Sequence, residues 1–190
     1  MKSYPTTLVA LFITILTVPG LSQQTGLKFP EAKPRQNIFV ELGGNGIAFN
    51  AMYESRLRRS SDGMGFKVGL GGFTGTYTKV FTLPVGVNWL LSKDNKHFFE
   101  MGFGTTFLHY EDTYIDTWPG GTTTSPYPVD VVGLSVDQKN SVFGHLTLGY
   151  RRQPSAGGIM WGIAVTPHFN ENGFWPVWFG IKFGYSFARK

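Results

Sequence analysis

The stretch Val177–Phe187, VWFGIKFGYSF, alternates without a break: Val177, Phe179, Ile181, Phe183, Tyr185 and Phe187 stand at one parity, and Trp178, Gly180, Lys182, Gly184 and Ser186 at the other. Successive side chains of an extended strand point to opposite sides, so this segment predicts a strand with one greasy face and one mostly small or polar face. The pattern returns in Phe81–Leu91, where Phe81, Leu83, Val85, Val87, Trp89 and Leu91 oppose Thr82, Pro84, Gly86, Asn88 and Leu90.

The same period predicts further strands along the chain. Asn37–Gly43 carries Ile38, Val40 and Leu42 on one face. Gly43-Gly44-Asn45-Gly46 reads as a turn, because Asn-Gly favours the primed hairpin turns. Ile47–Leu57, Gly65–Phe73, Val80–Leu91, His97–Tyr110, Val142–Arg151, Gly158–Phe169 and Val177–Arg189 complete the set. Polar turns stand near Asp62, Asp94 and Ser155, a loop covers Asn170–Pro176, and Glu111–Asn140 has no sustained alternation. The count is eight strands if Gly43–Gly46 is a turn and seven if Asn37–Leu57 is one bent strand. Bacterial single-chain membrane barrels have even strand numbers, short periplasmic turns and longer external loops, which favours eight. Pro84 and Pro167 fall inside alternating runs, where a bulge near the external rim would accommodate them.

Composition agrees with a barrel in a membrane. The 190-residue chain reads as one domain, with 25 Gly, 16% aromatic residues and only 15% charged residues, against about 25% charged in an ordinary soluble domain. Cysteine is absent, which excludes disulfides, thiolate metal sites and a lipidated N-terminal cysteine. A net charge of +5, with no basic run beyond Arg56, Arg58 and Arg59, gives little support to nucleic-acid binding.

The chain opens with Lys2, an apolar run Leu8–Val18, and Pro19-Gly20. This predicts a signal peptide over residues 1–22, cleaved near Ser22. The run is too short for a spanning helix, which needs ~20 apolar residues. Residues 23–36 read as a flexible lead-in, and residues 37–190 as the barrel domain with a long external loop at 111–140.

Alternation alone does not say which face is wet, since soluble ligand-binding barrels alternate with their apolar face inside. Here the polar faces are rich in glycine and poor in charge, whereas a water-facing surface is normally rich in Lys and Glu. Glycine suits an eight-stranded lumen, which is barely wide enough for side chains. The large apolar residues then face lipid, with Trp89, Tyr110, Tyr150, Trp161 and Tyr185 as candidates for interfacial girdles. This parity places Glu41, Glu54, Arg56, Lys67, Glu100, His145, Arg151 and Lys182 in the lumen, where charges must be paired or hydrogen-bonded. A packed polar network that blocks the pore is the plain reading. A proton or ion path, or a site using Glu100 and His145, is the sharper one.

No reaction chemistry is legible. Ser141 and His145 would lie ~13 Å apart along a strand, too far for a nucleophile and its base. His109-Tyr110-Glu111-Asp112 is a weak metal candidate, and Asp112, Asp116 and Asp130 lack a calcium-loop spacing. No cofactor is expected.

The stretches VELGGNGIAFNAMYESRL (Val40–Leu57), PVGVNWLL (Pro84–Leu91), HFFEMGFGTTF (His97–Phe107), GYRRQPSAGGIMWGIAVTP (Gly149–Pro167) and WFGIKFGYSF (Trp178–Phe187) resemble the small outer-membrane β-barrel proteins of Bacteroidetes-type Gram-negative bacteria. The resemblance spans most of the chain but leaves out Glu111–Asn140. It implies an all-β, antiparallel up-and-down transmembrane barrel in the outer membrane, with no activity attached. The last strand is similar to the aromatic-ended signal read by the barrel assembly machinery, except that Ala188, Arg189 and Lys190 follow Phe187.

The expected partners are therefore outer-membrane lipids, the assembly machinery and an extracellular partner. Tyr114, Trp118 and Tyr127 are the contact candidates in the external loop. A membrane-embedded lipid-modifying enzyme and a soluble ligand-binding barrel are the alternatives to a non-enzymatic, porin-like barrel.

Overall fold

A computed structural model describes residues 35–58, 60–75, 78–112, 116–118, 121–123, 129–131, 134–136, 140–171 and 173–188. The expected signal peptide and lead-in up to residue 34 lie outside the described residues. Eight long strands run in sequence: β1 Arg35–Gly43, β2 Phe49–Arg56, β3 Gly63–Thr74, β4 Thr78–Leu91, β5 His97–Asp112, β6 Asn140–Arg152, β7 Gly158–Val165 and β8 Phe179–Ala188. Each pairs antiparallel with the next, and β8 pairs with β1 from Arg35↔Ala188 to Gly43↔Gly180. That last ladder closes the sheet into a barrel and leaves no free edge. The hairpin reading of Asn37–Leu57 is the correct one.

Short turns around Asp62, Asp94 and Ser155 join the strands at one end. The other end carries the tight β1–β2 turn and three short hairpins. Two of these, Asp116–Trp118 with Gly121–Thr123 and Val129–Val131 with Leu134–Val136, stand within the segment expected to lack alternation. The third pairs His168–Asn170 with Gly173–Trp175, so most of the expected Asn170–Pro176 loop is ladder.

The two prolines behave differently. Past Val165 the chain stays on β6 in one register: Leu148 pairs with Val165, the Leu146 N–H donates to the Pro167 carbonyl at 2.9 Å, and His145 pairs with His168. Pro167 lacks a donor but keeps its acceptor, so the seventh strand does reach Phe169 with an interruption. On the β8 side, the four steps from Trp175 to Phe179 face the three steps from Val165 to His168, which is a bulge at the rim. Pro84 has no bulge. Val68↔Val85 and Gly71↔Thr82 keep one register, and the β3 ladder only skips Gly69 and Leu70. Because β4 begins at Thr78, Pro84 sits mid-strand rather than near the external end.

Polarity is reversed relative to a soluble domain. Phe103 is 55% exposed and Phe183 61%, whereas Glu100 is 1% exposed and Arg151 0%. Each of the eight long strands shows the apolar parity outward. The interior nevertheless holds apolar groups that the sequence reading left out. Phe39, Met52 and Met160 form one buried cluster, and Ile47, Val80, Leu108, Tyr110 and Phe143 form another. Tyr110 therefore points into the barrel and is no girdle residue. Trp89, Tyr150, Trp161 and Tyr185 keep the outward parity, toward the end with the short turns. There Tyr150 and Trp161 lie ring to ring at 5.5 Å.

Candidate functional site

The lumen gathers the charges because alternate positions of facing strands converge there. All eight expected residues are buried inside it: Glu41, Glu54, Arg56, Lys67, Glu100, His145, Arg151 and Lys182. Arg151 on β6 is the hub. Its Nη1 donates to Glu54 Oε1 at 2.6 Å and its Nη2 to Glu54 Oε2 at 2.7 Å, across the barrel on β2. Its Nε and Nη2 also donate to Glu100 Oε2, at 3.1 and 2.8 Å. Such fork-to-carboxylate pairs are directional as well as strong.

The remaining charges extend this core. Arg56 lies 2.8 Å from Glu54, and Lys182 Nζ lies 2.8 Å from Glu100 and 3.7 Å from Glu41. Lys67 is held otherwise, by donating to Thr147 Oγ1 at 3.1 Å. Phe39 offers its ring to Arg151 and Lys182 at 5.8 and 5.9 Å.

Neutral side chains complete the network, and the sequence reading had singled out none of them for it. Asn88 donates to Glu54 at 2.9 Å and to Glu100 at 3.1 Å, and accepts from Arg56. Asn37 donates to Glu54 at 2.8 Å. Their inward parity was the available signal, but it does not identify which neighbours they meet.

The sequence marks Asn45 only as a turn residue. It belongs to the β1–β2 turn, which is not the expected two-residue primed turn. Gly44–Gly46 forms a single 3₁₀ turn folded into the lumen, with Gly43 and Gly44 at φ 69° and 61°. Glycine relieves the steric cost there. Asn45 donates from its backbone N–H and its Nδ2 to the Glu41 carboxylate at 2.9–3.0 Å. It accepts from Thr106 Oγ1 at its carbonyl and from Thr147 Oγ1 at its Oδ1, both at 2.7 Å. Ile47 takes φ 71°, a costly conformation for a β-branched residue. It is held in place by the cluster with Val80, Leu108, Tyr110 and Phe143. The end carrying the hairpins is thus lidded by a turn and an apolar layer, above the charges.

Glu100 and His145 are not brought together. Glu100 faces Gly149 across the β5–β6 ladder, whereas His145 faces Gly104. His145 Nδ1 lies 3.2 Å from Thr106 Oγ1. Since the Thr106 proton goes to the Asn45 carbonyl, the imidazole is the donor in that contact. His168, unremarked in the sequence, packs beside His145 and Phe143 with ring centroids 6.2 and 5.2 Å away. His109 sits at the rim, 2.7 Å from Asn140 and 3.8 Å from Glu111. Among the described residues no cluster of three or more His, Cys, Asp or Glu is placed to hold a metal ion. Of the loop candidates, Trp118 lies in the strand Asp116–Trp118, while Tyr114 and Tyr127 lie outside the described residues.

Closure by eight antiparallel strands invites comparison with solved barrels. The N-terminal β-barrel domain of Pseudomonas aeruginosa OprF aligns with a TM-score of 0.50 at 8% identity, over 83% of this chain and 98% of that one. The fold is that of the eight-stranded outer-membrane barrels. The Yersinia pestis outer membrane protein Ail aligns with a TM-score of 0.45 at 9% identity, over 84% of this chain and 100% of that one. No protein-family model and no curated protein sequence matches the chain. The resemblance is thus supported at the level of the eight-stranded fold and no finer.

Proposed function

We propose that this protein is an integral outer-membrane barrel whose packed lumen does not conduct, and whose external segment Glu111–Asn140 carries a structural or interaction role. The observation behind this reading is the reversed polarity. Large apolar side chains such as Leu42, Phe103, Ile163 and Phe183 are more than half exposed around the wall, while the charges lie inside. Soluble monomers rarely expose contiguous apolar patches beyond a few hundred Å². A lipid surround removes that cost, and closure pairs the backbone between neighbouring strands with no edge left open. The buried ion pairs and the lid favour a blocked lumen over a proton or ion path.

A non-enzymatic role fits the arrangement better than lipid modification. Among the described residues the aliphatic hydroxyl beside an imidazole, Thr106 with His145, is fully buried and spends its proton within the lid. The test is twofold. The protein should fractionate with the outer membrane and migrate as a heat-modifiable band, and it should leave planar bilayers electrically silent. Steady ion conductance by the folded protein would refute the blocked lumen, and recovery in the soluble fraction would refute the membrane reading.

A further inference from the structure

On the outer wall, β6, β7 and β8 carry two register-matched rows of outward side chains. Leu148, Val165 and Phe179 form the upper row, and Tyr150, Ile163 and Ile181 the lower. Between the rows the residues are Gly149, Ala164 and Gly180, and a groove of about 400 Å³ opens over them. Its side chains are hydrocarbon apart from Tyr150, whose hydroxyl is already engaged by His97 Nδ1 at 2.5 Å. A peptide would find no polar partner here. Two rows of three side chains are also far short of the ~20 or more residues a side that a stable protein interface uses.

The lower end of the groove is charged. Arg152 follows inward-facing Arg151 and therefore points outward, about 7 Å along the strand from Tyr150 at ~3.3 Å per residue. It stands between His97 on β5 and Trp161 on β7, its register partners. Among the described residues no hydrogen bond or ion pair engages the Arg152 guanidinium. Asp94 keeps its Oδ1 in its own turn, accepting from the backbone N–H groups of Lys96 at 3.0 Å and His97 at 2.8 Å, and its Oδ2 lies 3.9 Å from His97 Nε2 rather than on Arg152.

We propose that this face binds an anionic glycerophospholipid of the periplasmic leaflet, one with no headgroup cation to offset its phosphate, with that phosphate on Arg152 beside His97 and one acyl chain in the groove above Tyr150. The inference rests on the membrane reading above. A free cation at the height of a headgroup and a hydrocarbon groove one step into the apolar band match the two halves of a single lipid. Arg suits a phosphate because its planar fork donates in pairs.

The test folds the full chain into phosphatidylcholine vesicles containing a minor fraction of phosphatidylglycerol. The protein is then extracted in mild detergent, and bound lipid is counted by native mass spectrometry. Wild type should retain phosphatidylglycerol preferentially. Arg152→Gln should lower that retention about fivefold, the weight of one basic residue at an anionic leaflet, and Arg152→Lys should restore part of it. Val165→Trp, which fills the groove, should lose both lipids while still showing the gel shift of a folded barrel. Excess inorganic phosphate should displace nothing. Equal retention by Arg152→Gln or Val165→Trp, or displacement by phosphate, would overturn the site and leave the membrane reading standing. Failure of wild type to fold into vesicles would overturn both.

Discussion

Arg151 shows how strongly a single residue can be committed by its surroundings. It joins Glu54 and Glu100 with no exposure to solvent, so removing it leaves buried carboxylates short of a partner. Breaking a buried ion pair from one side typically costs ~3–5 kcal/mol. Arg151→Gln should lower the unfolding free energy by about that amount, measured by urea titration in vesicles; a loss below ~1 kcal/mol would show that the network is not holding the barrel. Neighbouring positions on β4 should respond in opposite ways. Val87→Lys places a charge against lipid, at up to ~2–4 kcal/mol near the midplane. Asn88→Lys instead disturbs Arg56, Glu54 and Glu100, with no dependence on lipid depth.

Asp94, in an exposed turn outside the wall, offers a pH observable. The backbone N–H of His97, then that of Lys96, and the Ser92 hydroxyl hold its carboxyl down to about 2. A depressed folded value means that the turn's contribution is complete above the unfolded value of about 4 and is lost as pH falls toward 2. Carboxyl resonances followed by NMR should show Asp94 titrating near that lower limit, and a midpoint near 4 would deny the hydrogen bonds.

At the scale of elements, the first turn matters most. Asn45→Ala removes the side-chain bonds to Glu41 and Thr147 from a buried site. It should cost ~1–3 kcal/mol and release Ile47 from its left-handed conformation. Hydrogen exchange at the Ile47 and Ala48 amides should rise well above that of mid-strand amides; unchanged protection would mean that Asn45 is not the latch.

Strand identity and facing were legible because parity is local. Lys182, Glu100 and Glu54 could be placed inward from two neighbours on either side. What parity omits is the rotation around the barrel. Arg151 and Glu54 are 97 positions apart and meet only because closure sets β6 opposite β2. The inward fold of Gly44–Gly46 depends on Glu41, Thr106 and Thr147 together, so a turn signal taken by itself misread it. Tyr110 was misassigned for a related reason. Near a strand end, alternation continues, but its inward side meets the lid instead of the charged layer.

For the whole molecule, the barrel and the external segment are expected to be separable. Replacing Glu111–Asn140 by a four-residue turn should leave the eight-strand closure intact, because β5 and β6 stay paired from His97↔Arg152 to Leu108↔Ser141. A heat-modifiable band should persist, and loss of the gel shift would make the segment part of the folding unit. Protease added to intact cells should cut the full-length protein within this segment, and cutting only after lysis would reverse the orientation. Reversed polarity itself is best read by nitroxide labels placed singly at Phe179, Ile181, Phe183, Tyr185 and Lys182 of β8 in lipid vesicles, with power saturation by oxygen and by a water-soluble nickel chelate. The outward four should be relaxed by oxygen and shielded from nickel, most strongly at mid-strand, while position 182 should be shielded from both. Nickel access at Ile181 and Phe183 equal to that of an exposed turn residue would place this wall in water and contradict a membrane-spanning barrel.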